Sequence, residues 1–176
     1  GAERVGPDVE LARVLPVVRA LAAAGIAVSI DTLNASTALR AVEAGARLVN
    51  DVSAGLADPA MLAAVADSGA EIALGHWRGP SSDMYARAQY DDVAGDVVTE
   101  LRARADAALA AGIDASRIVL DPGIGFAKDA AQNWQVLAAL PFIVSSGYRV
   151  LIGTSRKKFL GTMLGGVWAD QSWGRF

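Results

Sequence analysis

The stretch that decides the fold is Ile118-Val119-Leu120-Asp121-Pro122-Gly123-Ile124-Gly125-Phe126. It opens with three branched aliphatic residues, and such a run is typical of a strand buried on both faces of a parallel sheet. A carboxylate follows directly, and a proline and two glycines then turn the backbone sharply. The stretch therefore predicts a buried strand that carries Asp121 at its carboxyl end.

Three other short apolar runs lead to polar residues in the same way. Residues 28–30 lead to Asp31, and residues 48–49 lead to Asn50. Residues 150–152 lead to Gly153-Thr154-Ser155-Arg156-Lys157. Enzymes with an α/β barrel fold place their sites at the carboxyl ends of the barrel strands. We therefore expect two carboxylates, an amide and a lysine from distant parts of the chain to face one shared site.

Helical patterns separate these strands along the chain. Strands are predicted at residues 27–30, 47–49, 71–74, 117–120 and 149–152, and helices at residues 8–24, 35–44, 58–68, 91–111, 131–144 and 156–164. Asp8 and the pair Asp58-Pro59 are the predicted starts of two of these helices. Strands that alternate with helices indicate a parallel sheet with right-handed crossovers. The predicted fold class is α/β, a partial TIM (β/α)8 barrel of about five parallel strands.

The length of 176 residues is short of the roughly 250 that a complete eight-unit barrel needs. We expect residues 1–165 to form the barrel portion and residues 166–176 to form an irregular tail. A closed barrel requires further strands on both sides, so the chain is expected to be truncated at both ends. Residues 75–89 form a predicted long loop, and loops of this length are usually functional or mobile.

Composition excludes several classes of function. The net charge of −3 and the isoelectric point near 5.1 argue against nucleic acid as the partner, because no basic stripe is available to neutralise phosphates. The absence of cysteine excludes disulfides and thiol chemistry. Charges interrupt the apolar runs before they reach membrane-spanning length, and the first residues do not show the pattern of a signal peptide, so none is expected. A cytoplasmic protein without a membrane partner is the expectation.

The residues at the strand ends are rich in hydrogen-bond acceptors. Asp31, Asn50 and Asp121 suit a flat ligand that presents several N–H donors, such as a pterin or a guanine-like ring. The alternative is that the two aspartates only cap helices or stabilise turns. Lys157 stands at a predicted helix start, where it could bind an anion or a ring oxygen, or could simply be solvated.

Two motifs occur together, Asp121-Pro122-Gly123-Ile124-Gly125-Phe126 and Gly153-Thr154-Ser155-Arg156-Lys157. Upstream of them lie Ser29-Ile30-Asp31-Thr32 and Val49-Asn50-Asp51-Val52-Ser53, with His76-Trp77-Arg78-Gly79 in between. Their order and spacing resemble those of the dihydropteroate synthase family, which is the target of the sulfonamides. The resemblance runs from about residue 1 to about residue 165.

The resemblance implies an activity and a set of site residues. The family joins 6-hydroxymethyl-7,8-dihydropterin diphosphate to p-aminobenzoate and releases pyrophosphate, on a (β/α)8 barrel. By resemblance, the residues that bind the pterin are Asp31, Asn50, Asp121, Gly153 and Lys157. Those that bind p-aminobenzoate are Phe126, Ser155 and Lys157. Family members often form homodimers, so a homodimer is an expectation here as well.

Several family features have no counterpart in this sequence. The family uses Mg²⁺ with the diphosphate, but the asparagine near the metal, the early Ser/Thr-Arg-Pro loop and the late Arg-x-His motif are absent. We therefore expect Mg²⁺ to accompany the substrate and assign no metal ligand in this chain. Gly75 replaces an apolar side chain that lines the pterin slot in the family, so a thinner wall is expected there.

Two alternatives to a complete synthase remain. The chain could bind a pterin without turnover, because the loops that hold pyrophosphate are missing, or it could be the pterin-binding domain of a corrinoid methyltransferase. The run that ends in Lys157, together with Phe126, favours the synthase. His76, the single histidine, is expected to support the structure rather than catalysis, and Arg78 is expected to be a solvated loop residue.

Overall fold

The computed structural model describes residues 5–80, 84–155 and 157–163. Its helices are α1 (Pro7–Ala23), α2 (Ala35–Glu43), α3 (Met61–Ser68), α4 (Val93–Ala110), α5 (Ala130–Ala138), α6 (Leu140–Val144) and α7 (Lys158–Met163). Its strands are β1 (Ser29–Asp31), β2 (Leu48–Asp51), β3 (Glu71–Gly75), β4 (Ile118–Asp121) and β5 (Arg149–Val150). Arg156 and residues 164–176, which include the predicted irregular tail, lie outside the described part of the chain.

The described strands form one five-stranded parallel sheet in the order β1-β2-β3-β4-β5. The prediction of about five parallel strands alternating with helices is confirmed. The register places Asp31 opposite Asn50 and Gly75 opposite Asp121. The C-terminal edge of the sheet, meaning the ends of β1 to β4, therefore carries the three predicted acceptor residues.

The core lies between the sheet and helices α2 to α4. Ile118 and Leu120 of β4 are each 1% exposed, as expected for a strand covered on both faces. The helices bury several small residues, Ala38, Ala41, Ala105 and Ala108, together with the larger Val97 and Leu101. Small side chains let the helices approach the sheet closely, and the C-terminal edge is built on this packed layer.

Several predicted boundaries are wrong, and local chemistry explains each. Helix α1 begins at Pro7 after Gly6, so Asp8 lies in the first turn and is not the cap. The Asp58 carboxylate accepts from the Ala60 amide at 3.0 Å and from the Ala35 amide at 2.8 Å, so it stabilises the turn before α3 and the start of α2. Helix α3 consequently begins at Met61 and not at residue 58.

The predicted helix over residues 131–144 is two helices, α5 and α6, because Pro141 has no N–H to donate to the preceding turn. The last strand ends at Val150, two residues earlier than predicted, and Leu151 and Ile152 are exposed.

In the described part of the chain, no helix combines the length and apolar character that a membrane span requires.

Candidate active site at the C-terminal edge of the sheet

Asp31 and Asn50 lie side by side at the ends of neighbouring strands. The Asn50 side-chain Nδ2 donates to Asp31 Oδ2 at 3.2 Å. Since a carboxylate only accepts, this bond fixes the orientation of the amide and leaves Oδ1 as its second polar atom, an acceptor. Asn50 Oδ1 is buried and has no hydrogen-bond donor among the residues that the structure describes. A buried acceptor without a donor is costly, and the described residues supply no donor to this atom.

Asp121 is held rigidly at the end of β4. One carboxylate oxygen, Oδ1, accepts from the Gly123 amide at 2.8 Å, and the main-chain oxygen accepts from the His76 amide at 2.8 Å. Gly123 has φ +64°, and a Cβ atom there would lie 2.4 Å from the His76 carbonyl oxygen. Only glycine fits this turn, so the predicted Pro-Gly motif shapes the support of Asp121.

Three charged groups at this edge influence one another. Burial raises the pKa of Asp121, opposed by the Gly123 amide and by the charge of Lys157. Burial likewise raises the pKa of Asp31, although the residue keeps an exposed surface, and the hydrogen bond from Asn50 opposes the shift. Burial lowers the pKa of Lys157, while the charges of Asp121 and Asp31 oppose that shift. The charge of Lys157 therefore influences both carboxylates.

Lys157 also contacts the predicted p-aminobenzoate residue Phe126. Its Nζ lies 4.2 Å from the centre of the Phe126 ring, which is a cation–π contact. The side chain crosses above Gly125, where a Cβ atom would lie 2.8 Å from Lys157 Cδ. The Gly125 amide donates to Asn133 Oδ1 at 2.6 Å, so helix α5 holds this segment from below.

The structure therefore brings together two pairs of predicted residues, Asp31 with Asn50 and Lys157 with Phe126. Gly153 and Ser155 lie on the same β5–α7 connection as Lys157 and are exposed. Their assigned contacts with pterin and p-aminobenzoate stay predictions. A pocket of about 300 Å³ borders Asp31 on the side of α1, and the other described site residues do not line it.

Four side chains behind this edge form a network that the sequence did not reveal. His76 Nε2 lies 2.9 Å from Glu100 Oε2, and Arg78 Nε donates to Glu100 Oε1 at 3.0 Å. Lys128, only 1% exposed, places its Nζ 2.9 Å from His76 Nδ1. The expectation that Arg78 is solvated is wrong, because it forms an ion pair with Glu100 and stacks on a tyrosine ring.

A second unpredicted residue, Glu10 of α1, fixes the loop that follows Asp31. Its Oε1 accepts from the Thr32 hydroxyl at 2.9 Å, and its Oε2 accepts from Asn34 Nδ2 at 2.6 Å and from the Thr37 hydroxyl at 2.7 Å. Nothing in the polar face of α1 distinguishes Glu10 from its neighbours, so sequence periodicity could not identify it. This carboxylate ties α1 to the start of α2.

Gly75 does not leave an open space in the site. A Cβ atom there would lie 2.6 Å from both the Cα and the carbonyl oxygen of Val52. The main chain after β2 thus fills the volume that the expected apolar side chain would occupy. The expectation of a thinner wall is replaced by a close backbone contact between two neighbouring strand ends.

The described residues do not form a binding site for Mg²⁺. The described residues contain no group of three or more carboxylate, histidine or cysteine side chains able to hold a metal ion. Asp31 and Asp121 share the cation Lys157, which partly neutralises them. The residues present do not fit a resident Mg²⁺ ion, so no step is assigned to one.

Comparisons with known proteins agree with this geometry. The family described as "Pterin binding enzyme" matches residues 1–175. The chain is 51% identical over 168 residues to the dihydropteroate synthase of Mycobacterium leprae, a match that covers 95% of the chain and 59% of that protein. It is 39% identical over 165 residues to the Bacillus subtilis enzyme of the same name, covering 93% and 55%.

Solved structures give the same answer. Dihydropteroate synthase of Xanthomonas albilineans with 4-aminobenzoic acid superposes with a TM-score of 0.86 at 42% identity, covering 94% of this chain and 58% of that one. The Yersinia pestis enzyme with a sulfonamide drug has a TM-score of 0.90 at 36% identity, covering 94% and 60%. The chain spans between 55% and 60% of the length of these four relatives. It therefore belongs to the pterin-binding enzyme family, and the relatives it resembles there are dihydropteroate synthases.

Proposed function

We propose that this chain carries the pterin and p-aminobenzoate subsites of a dihydropteroate synthase. The reaction joins 6-hydroxymethyl-7,8-dihydropterin diphosphate to p-aminobenzoate, gives 7,8-dihydropteroate and releases pyrophosphate. Relatives have been solved with 4-aminobenzoic acid, with 6HMPPP and with 7,8-dihydropteroate, which supports these small-molecule substrates. Mg²⁺ with the diphosphate, a homodimer and a cytoplasmic location remain proposals by family likeness.

The observation that carries the proposal is the buried, unsatisfied Asn50 Oδ1 beside Asp31. The edge of a pterin ring presents an amino group and ring N–H donors in one plane. Asn50 Oδ1 accepts one such donor and the carboxylates of Asp31 and Asp121 accept others. This pairing removes the cost of the orphaned acceptor and provides charge-assisted bonds at the same time.

Lys157 completes the pterin subsite on the opposite side of the ring. Its ammonium group donates to the ring carbonyl, while its stem lies over Gly125 and its head over Phe126. The Phe126 ring offers p-aminobenzoate an apolar face directly beside the pterin. The two substrates are therefore held by adjacent residues, which supplies the orientation that a two-substrate reaction requires.

The chemistry follows from the charges at this edge. The bond between the exocyclic carbon and the diphosphate oxygen breaks, and its electron pair leaves with pyrophosphate. The carbon is then cationic, and the carboxylates of Asp31 and Asp121 stabilise it electrostatically across the ring. The aromatic amine attacks this carbon with its lone pair, forms the C–N bond and then releases a proton.

The test separates binding from turnover. The purified chain is titrated with 6-hydroxymethyl-7,8-dihydropterin in a calorimeter, and formation of dihydropteroate from the diphosphate and p-aminobenzoate is assayed in parallel with Mg²⁺ present. Pterin binding is expected, and product formation would show that this chain also carries out the whole reaction. Binding without product would support a pterin-binding role without turnover for this chain, and an absence of pterin binding would refute the proposal. A titration with adenine, a purine without the pterin donor pattern, is the control for non-specific stacking.

A further inference from the structure

Lys128 is a cation buried directly beneath the segment that carries Phe126. Its Nζ lies 3.1 Å from the Gly123 carbonyl oxygen and 3.1 Å from the Phe126 carbonyl oxygen, in addition to 2.9 Å from His76 Nδ1. The two carbonyls belong to the two ends of the turn over residues 123–126. One side chain thus spans the turn from below and joins it to β3 through His76.

The proton arrangement follows from the partners of His76. Arg78 and Glu100 form an ion pair, so Glu100 is a carboxylate and accepts from His76 Nε2 at 2.9 Å. Burial lowers the pKa of His76, which favours the neutral ring. A neutral ring with its proton on Nε2 has a lone pair on Nδ1. Lys128 is therefore the donor in its contact with His76.

The ammonium form of Lys128 matches its surroundings donor for donor. It has three N–H bonds, and the Gly123 carbonyl, the Phe126 carbonyl and His76 Nδ1 supply three acceptors. A neutral amine has two N–H bonds, so one of these three contacts would be lost. Geometry therefore ties the shape of the turn to the charge on Lys128.

Opposing effects act on the protonation of Lys128. Burial lowers the pKa of Lys128 to about 7, Asp121 of β4 and Glu100 of α4 raise it, and Arg78 and Lys157 lower it. The turn that Lys128 holds also needs restraint. Ala127 has φ +48°, a left-handed conformation that is unfavourable for a non-glycine residue, and its carbonyl accepts from the Tyr90 hydroxyl at 2.9 Å.

We infer that Lys128 is a positioning residue that holds the turn over residues 123–126, and with it Phe126, in the geometry that p-aminobenzoate requires. The inference rests on the proposed function for its ligand and on the three contacts of Lys128 for its mechanism. The pterin side depends less on Lys128, because the strand pairing of β3 with β4 fixes the main chain of Asp121 independently.

The variant that tests it is Lys128→Met, which keeps the length and apolar stem but removes all donors. Amide hydrogen exchange is measured at Gly125 and Phe126, whose N–H groups are bonded to Asn133 and to the Gly123 carbonyl. Protection factors at these two amides are expected to fall about tenfold, as for the loss of a hydrogen bond or two, while those of β4 stay constant. Arg102→Met, at an exposed position of α4, is the matched control.

Ligand binding separates positioning from a general structural role. In Lys128→Met the dissociation constant of p-aminobenzoate, measured with pterin and pyrophosphate present, should rise about tenfold and that of the pterin less than about threefold. Equal losses for both ligands, or exchange at Gly125 and Phe126 unchanged in a folded variant, would overturn the inference. If neither ligand binds the unmodified chain, the proposed function fails while the exchange data still decide the role of Lys128.

The unmodified chain provides a measurement that does not depend on the folding of the variant. As the pH rises from 6 to 8.5, Lys128 loses its third donor, so the protection factors of Gly125 and Phe126 should decline while those of Val119 and Leu120 do not. Should Lys128→Met fail to fold, a pH-independent protection at both turn amides would refute the inference. A decline confined to those amides would support it.

Discussion

Replacing Asp121 by asparagine tests the assignment of the pterin edge. In the structure, Asp121 Oδ1 is occupied by the Gly123 amide at 2.8 Å. The asparagine oxygen has to keep that bond, since a donor placed there would face another N–H group. The side-chain NH₂ then points to the ligand, where the proposed pterin also presents N–H groups.

The expected magnitude follows from this arrangement. A charge-assisted hydrogen bond is lost, which is about 1.5–3 kcal/mol, and two donors are left facing each other, which adds roughly 1 kcal/mol. Together the loss of about 3 kcal/mol corresponds to a dissociation constant raised on the order of a hundredfold. The fold should survive, because the volume and the bond to Gly123 are kept.

Calorimetric titration with 6-hydroxymethyl-7,8-dihydropterin measures this change. Asp67→Asn is the control, because it makes the same chemical change at an exposed carboxylate of α3. The control should bind like the unmodified chain. A dissociation constant for Asp121→Asn within about threefold of the unmodified value would refute the placement of Asp121 against ligand N–H groups.

Three further outcomes are expected. Lys157→Ala should weaken pterin binding about tenfold, less than the aspartate variant, because it removes one bond from a half-buried amine; a calorimetric order reversed between the two would contradict the roles assigned. Gly123→Ala should lower the free energy of unfolding by about 2–4 kcal/mol, since its Cβ would collide with the His76 carbonyl, whereas Gly147→Ala, with a similar positive φ and open space, should lose about 1 kcal/mol in denaturant titration. Burial raises the pKa of Glu100, but the hydrogen bonds and charges of His76 and Arg78 outweigh burial and lower that pKa to about 2. The contribution of Glu100 to the free energy of unfolding is therefore present above pH 4.5 and is lost as the pH falls towards 2. After allowance for its 38% exposed side chain this is about 1–2 kcal/mol, and Glu100→Gln should show a correspondingly flatter decline in acid unfolding.

The strand ends could be predicted because the apolar run of each strand gives way there to polar residues. The three aliphatic residues of β4 are buried, and the polar residues at the carboxyl ends of β1, β2 and β4 lie along one edge of the sheet. The rule that parallel strands deliver their carboxyl ends to one side is independent of the details of packing, so it transfers from sequence to structure. It places Asp31, Asn50 and Asp121 without any knowledge of their neighbours.

The network behind the edge could not be predicted for the opposite reason. Glu100 lies on a helix whose polar face contains several similar residues, and Lys128 follows the motif by only two positions. Which helical carboxylate meets His76 depends on the rotation and translation of α4 against the sheet, and no local pattern encodes those values. The same limit applies to Gly75, where the space for a side chain depends on the path of the main chain after β2.

The two proposed substrate subsites are thus supported in physically different ways. The proposed pterin acceptors Asp31, Asn50 and Asp121 stand at strand ends, so the hydrogen-bonded sheet fixes their spacing, and only unfolding of the sheet would disturb it. Phe126 stands on a turn whose contacts from below come from Asn133 and from the ammonium group of Lys128. A change of proton occupancy on one buried amine can therefore alter the second subsite and leave the first intact. Selective loss of p-aminobenzoate affinity with rising pH, at constant pterin affinity, is the behaviour that this division of support requires.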